Sequence, residues 1–317
     1  MRWVTLVLVG GLVSVCGAPA VAVDGAQTFE FSYNPDEELA DGQFYILDGH
    51  VRKGRSSIQN WSGSNSVQVF DRTSGSTRSG IMQFHNLLSN LPTGDGLKVG
   101  SAVLNMHLRN SMPKVGEGDP PAQTFDVHPM ALDVMVGNGD GQIPPASIAE
   151  NLCSTPGCGS GWMSWENKQN DVLDEVGGPV PWGNADNPGT DGPVEGVDFL
   201  SSPTVELSVT PAVWGLAPGS NGGEDAKRYG QDLDITPIVQ AWYNGDIDNH
   251  GIIMIGHEGI GGLYFMGADT VASGAAGALK SHRPRYMPKL TVTLVPEPAT
   301  LGLLCLGGLV ALRRNRR

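Results

Sequence analysis

Basic residues are scarce in this chain: 20 Lys and Arg stand against 33 Asp and Glu in 317 residues, for a formal net charge of −13. Nucleic acid and anionic lipid are therefore excluded as expected partners, because both need a cationic face to neutralise phosphate. Divalent cations and neutral glycans remain open. Long apolar runs are also missing, since the stretches Val4 to Val15 and Ala299 to Leu312 both fall short of the roughly 20 residues of a comfortable membrane span. Signatures of catalysis are absent as well. No G-x-S-x-G occurs, and "HEGIG" (His257 to Gly261) lacks the second histidine of a zinc-protease helix and has the glycines of a turn. The seven histidines are scattered, each expected to be a strand or loop residue without a ligand. Acidic residues are so numerous that chance pairs are guaranteed, and no pair stands out at a separation useful for glycoside chemistry. The chain is expected not to be an enzyme.

What is present begins at the two ends. Arg2 precedes the apolar stretch Val4 to Val15, and Ala18-Pro19-Ala20-Val21-Ala22 supplies an A-x-A type cleavage site, so residues 1–22 read as a secretory signal peptide cut after Ala22. A permanent N-terminal anchor is the alternative. A lipoprotein site at Cys16 fits poorly, because Val15 precedes it where a small residue is wanted. At the other end Ala299 to Leu312 carries no charge, and Arg313, Arg314, Arg316 and Arg317 follow it. Arginines beside an apolar segment stay on the cytoplasmic side, so everything before Val295 is expected to lie outside. A buried core helix is the bland alternative.

Pro296-Glu297-Pro298, then the apolar segment, then the arginine-rich end, resembles the PEP-CTERM sorting signal of exopolysaccharide-producing bacteria. The resemblance implies that residues 295–317 are a sorting signal with a short transmembrane helix that holds the protein in the inner membrane transiently. It further implies recognition by an exosortase, processing near Pro296 to Pro298, and delivery to the cell envelope, surface or extracellular matrix. Removing both ends takes five arginines and one glutamate with them, which leaves 15 basic and 32 acidic residues and a charge of about −17 on Val23 to Val295. Cys16 and Cys305 fall in the targeting segments, so only Cys153 and Cys158 remain of the four cysteines. In an oxidising compartment "CSTPGC" reads as one local disulfide around a Pro-Gly turn. Zinc is the other use of close cysteines, but no second pair completes four ligands.

Of the chain's 44 Gly and 22 Pro, 38 and 19 fall within residues 23–294, a composition that fits many short strands joined by turns. Period-two alternation predicts strands over Gly42–Gly49, Ser66–Phe70, Gly80–Phe84, Ala102–Leu108, Gln123–Met130, Thr204–Thr210, Gly262–Gly267 and Lys289–Val295. The continuous apolar run Ile252 to Ile255, within Gly251–Gly256, predicts a strand buried on both faces. One short helix is expected in "DITPIVQAWYNG", with Thr236 as N-cap, Pro237 at the first helical position, Gly245 just past the end and Trp242 on the core side. From Val134 to Ser202 runs a long stretch rich in Gly, Pro, Asn and Asp that holds three tryptophans and the cysteine pair. Such a segment is functional or partly disordered, and the tryptophans and disulfide argue for order.

Several of these pieces occur in an order that resembles a DNRLRE-type domain: "RSGIMQFHNLLSNLPTGDGLKVGSAVLNMHL", then "PWGNADNPGTDG", then "DITPIVQAWYNGDIDNHGIIMI", then a "RP" sequence before a closing "L.V.L" strand. The likeness covers roughly residues 40 to 295. It departs at His250, where the family commonly has Tyr, in the longer "RPRYMPKL", and in "WMSWENKQND", a loose version of the family's Trp-Asn-x-Arg segment. The resemblance implies an all-β fold, a jelly-roll β-sandwich of carbohydrate-binding-module type with long loop insertions, found on secreted and surface proteins.

The physics of glycan binding asks for flat aromatic faces with polar groups at the rim. Trp61, Trp162, Trp165 and Trp182 lie in polar loops and are the candidate platforms, with a mini-core under a long loop as the alternative for each. Arg78 and Arg283 could pair with acidic sugars or serve as structural ion-pair partners. For a structural Ca²⁺ the candidates are Asn138 and Asp140 in "GNGDGQ" and Asp246 and Asp248 in "GDIDNHG", with polar Asx turns as the alternative. A polysaccharide or the extracellular matrix is the expected partner. A structural or adhesive surface protein without a glycan ligand is the runner-up, and a polysaccharide lyase or glycosidase comes last.

Overall fold

Alternating sequence becomes strand wherever the chain has enough of it. The computed structural model describes residues 26–32, 41–53, 66–72, 76–94, 96–111, 122–134, 167–169, 180–184, 186, 192–209, 230–257, 261–267 and 287–297. Its strands are β1 (Gln27–Ser32), β2 (Tyr45–Arg52), β3 (Ser66–Arg72), β4 (Ser76–His85), β5 (Leu97–Ser111), β6 (Gln123–Pro129), β7 (Asn167–Gln169), β8 (Val180–Pro181), β9 (Val205–Val209), β10 (Gly230–Asp234), β11 (Ile252–Gly256), β12 (Leu263–Met266) and β13 (Lys289–Pro296). Among the described residues one α-helix, α1 (Thr236–Asn244), lies between β10 and β11. The nine expected strands are present as β2 to β6, β9 and β11 to β13. The strands β1, β7, β8 and β10 were not expected.

Eleven strands join into one antiparallel sheet in the order β1-β13-β5-β12-β3-β4-β11-β6-β9, with β10 on β5 and β2 on β4, while β7 and β8 form a separate pair. Side chains from strands far apart in this order share one apolar core. Ala102, Leu104, Met106 and Leu108 of β5 enter it, as the alternation predicts, beside Leu290, Val292 and Leu294 of β13 and Phe125 of β6. Aromatic pairs tie it together: Phe125 and Phe265 have ring centroids 6.1 Å apart, and Phe84 and Trp242 have theirs 5.9 Å apart. Each such fully buried large side chain stabilises the fold by about 1.5–3 kcal/mol.

A second, smaller cluster lies on the opposite face of β2, β4 and β11. Ile252 and Met254 of β11 point into the main core, whereas Ile253 joins Leu47, Ile81, Met130, Trp182 and Phe199 in the second cluster. The unbroken apolar run of β11 is thus explained by burial on both faces, as expected.

The helix differs from expectation at its start. The flanking cap position is Ile235, not Thr236, and it makes no side-chain cap hydrogen bond. Instead Asp234 Oδ1 accepts the Thr236 N–H at 2.9 Å, and the Thr236 hydroxyl accepts the Ala102 N–H of β5 at 2.8 Å. The threonine is therefore drawn one position into the helix because its oxygen is committed to the sheet. Gly245 ends the helix with φ of 74°, and Ile238, Val239 and Trp242 are its buried face.

Candidate functional site

Burial alternates along β6, so Phe125 and Val127 enter the main core while Thr124, Asp126 and His128 face the other way. Cross-strand register then gathers partners on that half-exposed face. Asp126 pairs with Glu206 of β9 on one side and with Ile255 of β11 on the other. One two-residue step beyond Ile255 carries His257 to the same face, and its backbone N–H donates to Thr124 O at 3.2 Å. The ligand atoms of Asp126, Glu206 and His257 all lie within 4.8 Å of one another. His257 Nε2 is 3.0 Å from Asp126 Oδ2, with the two side chains 41% and 31% exposed. Two carboxylates directly opposite on neighbouring strands repel each other, so a cation between them is stabilising. In the sequence His257 stood only in the turn-like "HEGIG", expected to be without a ligand, and nothing marked Asp126 or Glu206. The three come from separate strands, and only the register of β6 with β9 and β11 brings them together.

The expected sugar platform at Trp182 needs correction. Its side chain is fully buried in the second cluster, beneath a turn that the buried carboxylate of Asp198 holds by accepting the N–H groups of Gly183 at 2.6 Å and Val194 at 2.9 Å. This is the mini-core under a long loop, and no sugar face can stack on it. Arg78 is half-buried, its guanidinium 5.1 Å from the Phe70 ring centroid and 5.7 Å from that of Tyr264, whose Oη accepts from it at 3.4 Å. It holds two aromatic rings together in the fold, where an acidic sugar was one expected use. Asp246 and Asp248 are exposed in the turn after α1. The first accepts from Asn244 Nδ2 at 3.1 Å, and the second stands 4.0 Å from His250 Nε2, so both serve local turn contacts. Trp61, Trp162, Trp165, Arg283, Asn138, Asp140, Cys153, Cys158 and Pro298 lie outside the described residues.

Two other histidines are shaped by burial. His85 stacks on Tyr45, with ring centroids 4.4 Å apart and planes 6° from parallel. Burial pushes its pKa below the ordinary histidine value, against the opposing pull of Asp133. His107 on β5 is likewise lowered by burial, with Asp232 raising it and Lys289 lowering it further.

The start of the C-terminal motif is part of the sheet. Pro296 is the last residue of β13, opposite Leu97, and the Glu297 N–H donates to Gly96 O at 2.8 Å. The strand therefore runs one residue past the expected Val295 and takes in the first residue of the Pro-Glu-Pro triplet, with Glu297 adding one backbone hydrogen bond beyond it. Among the described residues no helix is long and apolar enough to cross a membrane, and the apolar segment after Pro298 lies outside them. No curated protein matches the chain. Among protein families, the PEP-CTERM protein-sorting motif matches residues 294–317, beginning within β13. The chain thus carries the signal that directs export, exosortase processing and attachment at the cell envelope or surface.

Proposed function

We propose that this chain is a non-catalytic, envelope-sorted protein whose folded part is a jelly-roll β-sandwich of DNRLRE type, and that it binds polysaccharide or forms part of the extracellular matrix. The observation that carries this reading is the sorting motif, which begins inside β13, the last described strand of a mostly β structure. What is delivered to the surface is then the sheet itself. The DNRLRE-type and jelly-roll assignments rest on the sequence resemblance. Support for them comes from the order of its pieces, which fall on β4, β5, α1, β11 and β13 in turn, and from the core shared by distant strands of an antiparallel sheet. Fold alone does not name a ligand. The acidic composition favours neutral glycans, or acidic ones bridged by divalent cations.

The glycan contacts that remain open are Trp61, Trp162, Trp165 and Arg283. Burial of Trp182 favours the second reading, a structural or adhesive protein without a glycan ligand. Probing a glycan array with the full-length protein in detergent, once with calcium and once with chelator, separates the two. Saturable binding to a polysaccharide supports the first reading, and no binding to any glycan overturns it in favour of the second. Release of shortened products from a bound glycan would overturn the non-catalytic part.

A further inference from the structure

The geometry points to a divalent d-block metal site, of the kind zinc occupies, formed by Asp126, Glu206 and His257 across β6, β9 and the end of β11. The donor set is one imidazole nitrogen and two carboxylate oxygens, a mixture that suits zinc and its neighbours better than calcium, which prefers six or more oxygens. Three ligand atoms within 4.8 Å of one another are brought onto one ion by side-chain rotations that shorten the longest separation to the roughly 3.3 Å of a tetrahedral site. The 3.0 Å between His257 Nε2 and Asp126 Oδ2 lies near the edge of a tetrahedron with bonds of about 2.0 Å, which is about 3.3 Å.

Independent support comes from the sheet. Asp126 and Glu206 are direct cross-strand partners, an arrangement that is destabilising for like charges unless a cation lies between them. The backbone also fixes all three positions. Asp126 is on β6 with paired strands on both sides, and His257 is held by its own N–H on Thr124 O. Three protein ligands on a half-exposed face leave a fourth position open to water or to an oxygen ligand from outside the chain. This site uses none of the residues Asn138, Asp140, Asp246 and Asp248 considered for calcium, and it does not depend on the glycan reading.

The test is titration of the full-length, chelator-stripped protein with Zn²⁺ by calorimetry, with thermal unfolding followed in parallel. One saturable site per chain and a higher unfolding temperature with zinc are expected. The variants His257→Ala and Glu206→Gln should each weaken that site at least tenfold and abolish the thermal shift. Asp246→Asn, which alters an exposed carboxylate in a different turn, should leave both unchanged. Glu206 lies on an exposed edge strand, so its isosteric replacement keeps the fold, and an unchanged circular dichroism spectrum verifies this. Zinc bound equally well by Glu206→Gln and His257→Ala overturns the assignment, as does the absence of saturable binding below millimolar zinc. Displacement of zinc by an equal concentration of calcium overturns the choice of a d-block ion.

Discussion

Gly251 sits at the start of β11 with φ of +94°, and a Cβ built there would lie 2.2 Å from Met82 O and 2.9 Å from Gln83 Cα. Gly42 has φ of +74° with nothing within 4 Å of such a Cβ. Gly42→Ala therefore meets backbone strain alone, about 1 kcal/mol, whereas Gly251→Ala adds a collision with the neighbouring strand and should cost about 3 kcal/mol or more. Urea unfolding of the two variants measures the difference, and equal losses would show that β4 yields to the methyl group. The buried histidines act through pH. Because burial lowers the pKa of His85 and of His107, both are favoured as neutral rings in the fold. As pH falls below about 6.5, the unfolded chain takes up protons that the folded chain resists. Stability present at neutral pH is then lost on the way down through the lowered folded values. Urea midpoints should fall from pH 7 to pH 5, and less steeply in His85→Phe, which keeps the stack on Tyr45, and in His107→Gln.

At the scale of the element, β13 is the strand on which folding and sorting meet. It is hydrogen-bonded to β1 as far as Leu294 and to β5 as far as Pro296, and Glu297 adds one more bond to Gly96. A processing enzyme needs an extended, accessible backbone, and upstream of Glu297 that backbone is already committed to its neighbours. The C-terminal peptide of the exported protein, identified by mass spectrometry, should therefore end at or after Glu297. A terminus before Val295 would mean that β13 is pulled out of the sheet during processing. Much at this scale was legible in the sequence. In β5 and β13 apolar and polar residues alternate cleanly, and in β11 an unbroken apolar run announces two buried faces. The weak strand β10, "GQDLD", has one apolar residue and carried no pattern, although it pairs five residues with β5. The Asp126–Glu206–His257 group was illegible for a different reason, since alternation gives the face of each residue but not which strands lie side by side. Trp182 stayed open between platform and mini-core because it lies in a polar loop, while the residues it clusters with, Ile81, Met130 and Ile253, arrive from other parts of the chain.

For the whole molecule, the pairing of β1 with β13 joins the strands nearest the two ends of the chain. Gln27 stands opposite Leu294, so the chain enters and leaves the sheet at the same end, a strand spacing of about 4.8 Å apart. The expected leader, residues 1–22, and the sorting motif therefore attach at one end, and the sheet can close while both are still held at a membrane. Truncation tests whether the two are addresses or structure. A chain ending after Glu297 retains every described strand pairing and should fold with an unfolding temperature within a few degrees of the full-length protein, but be released from the cell without envelope attachment. A chain ending at residue 288 loses β13, leaving β1 without its partner and opening the edge of β5 that pairs with β13. Its loss removes Leu290, Val292 and Leu294 from the core, about 1.5–3 kcal/mol each. That is comparable to the whole stability of an ordinary domain, about 5–15 kcal/mol, so the shorter chain should be degraded or aggregate. Recovery of a folded, soluble 1–288 chain would mean that β1 and β5 pair without the strand between them.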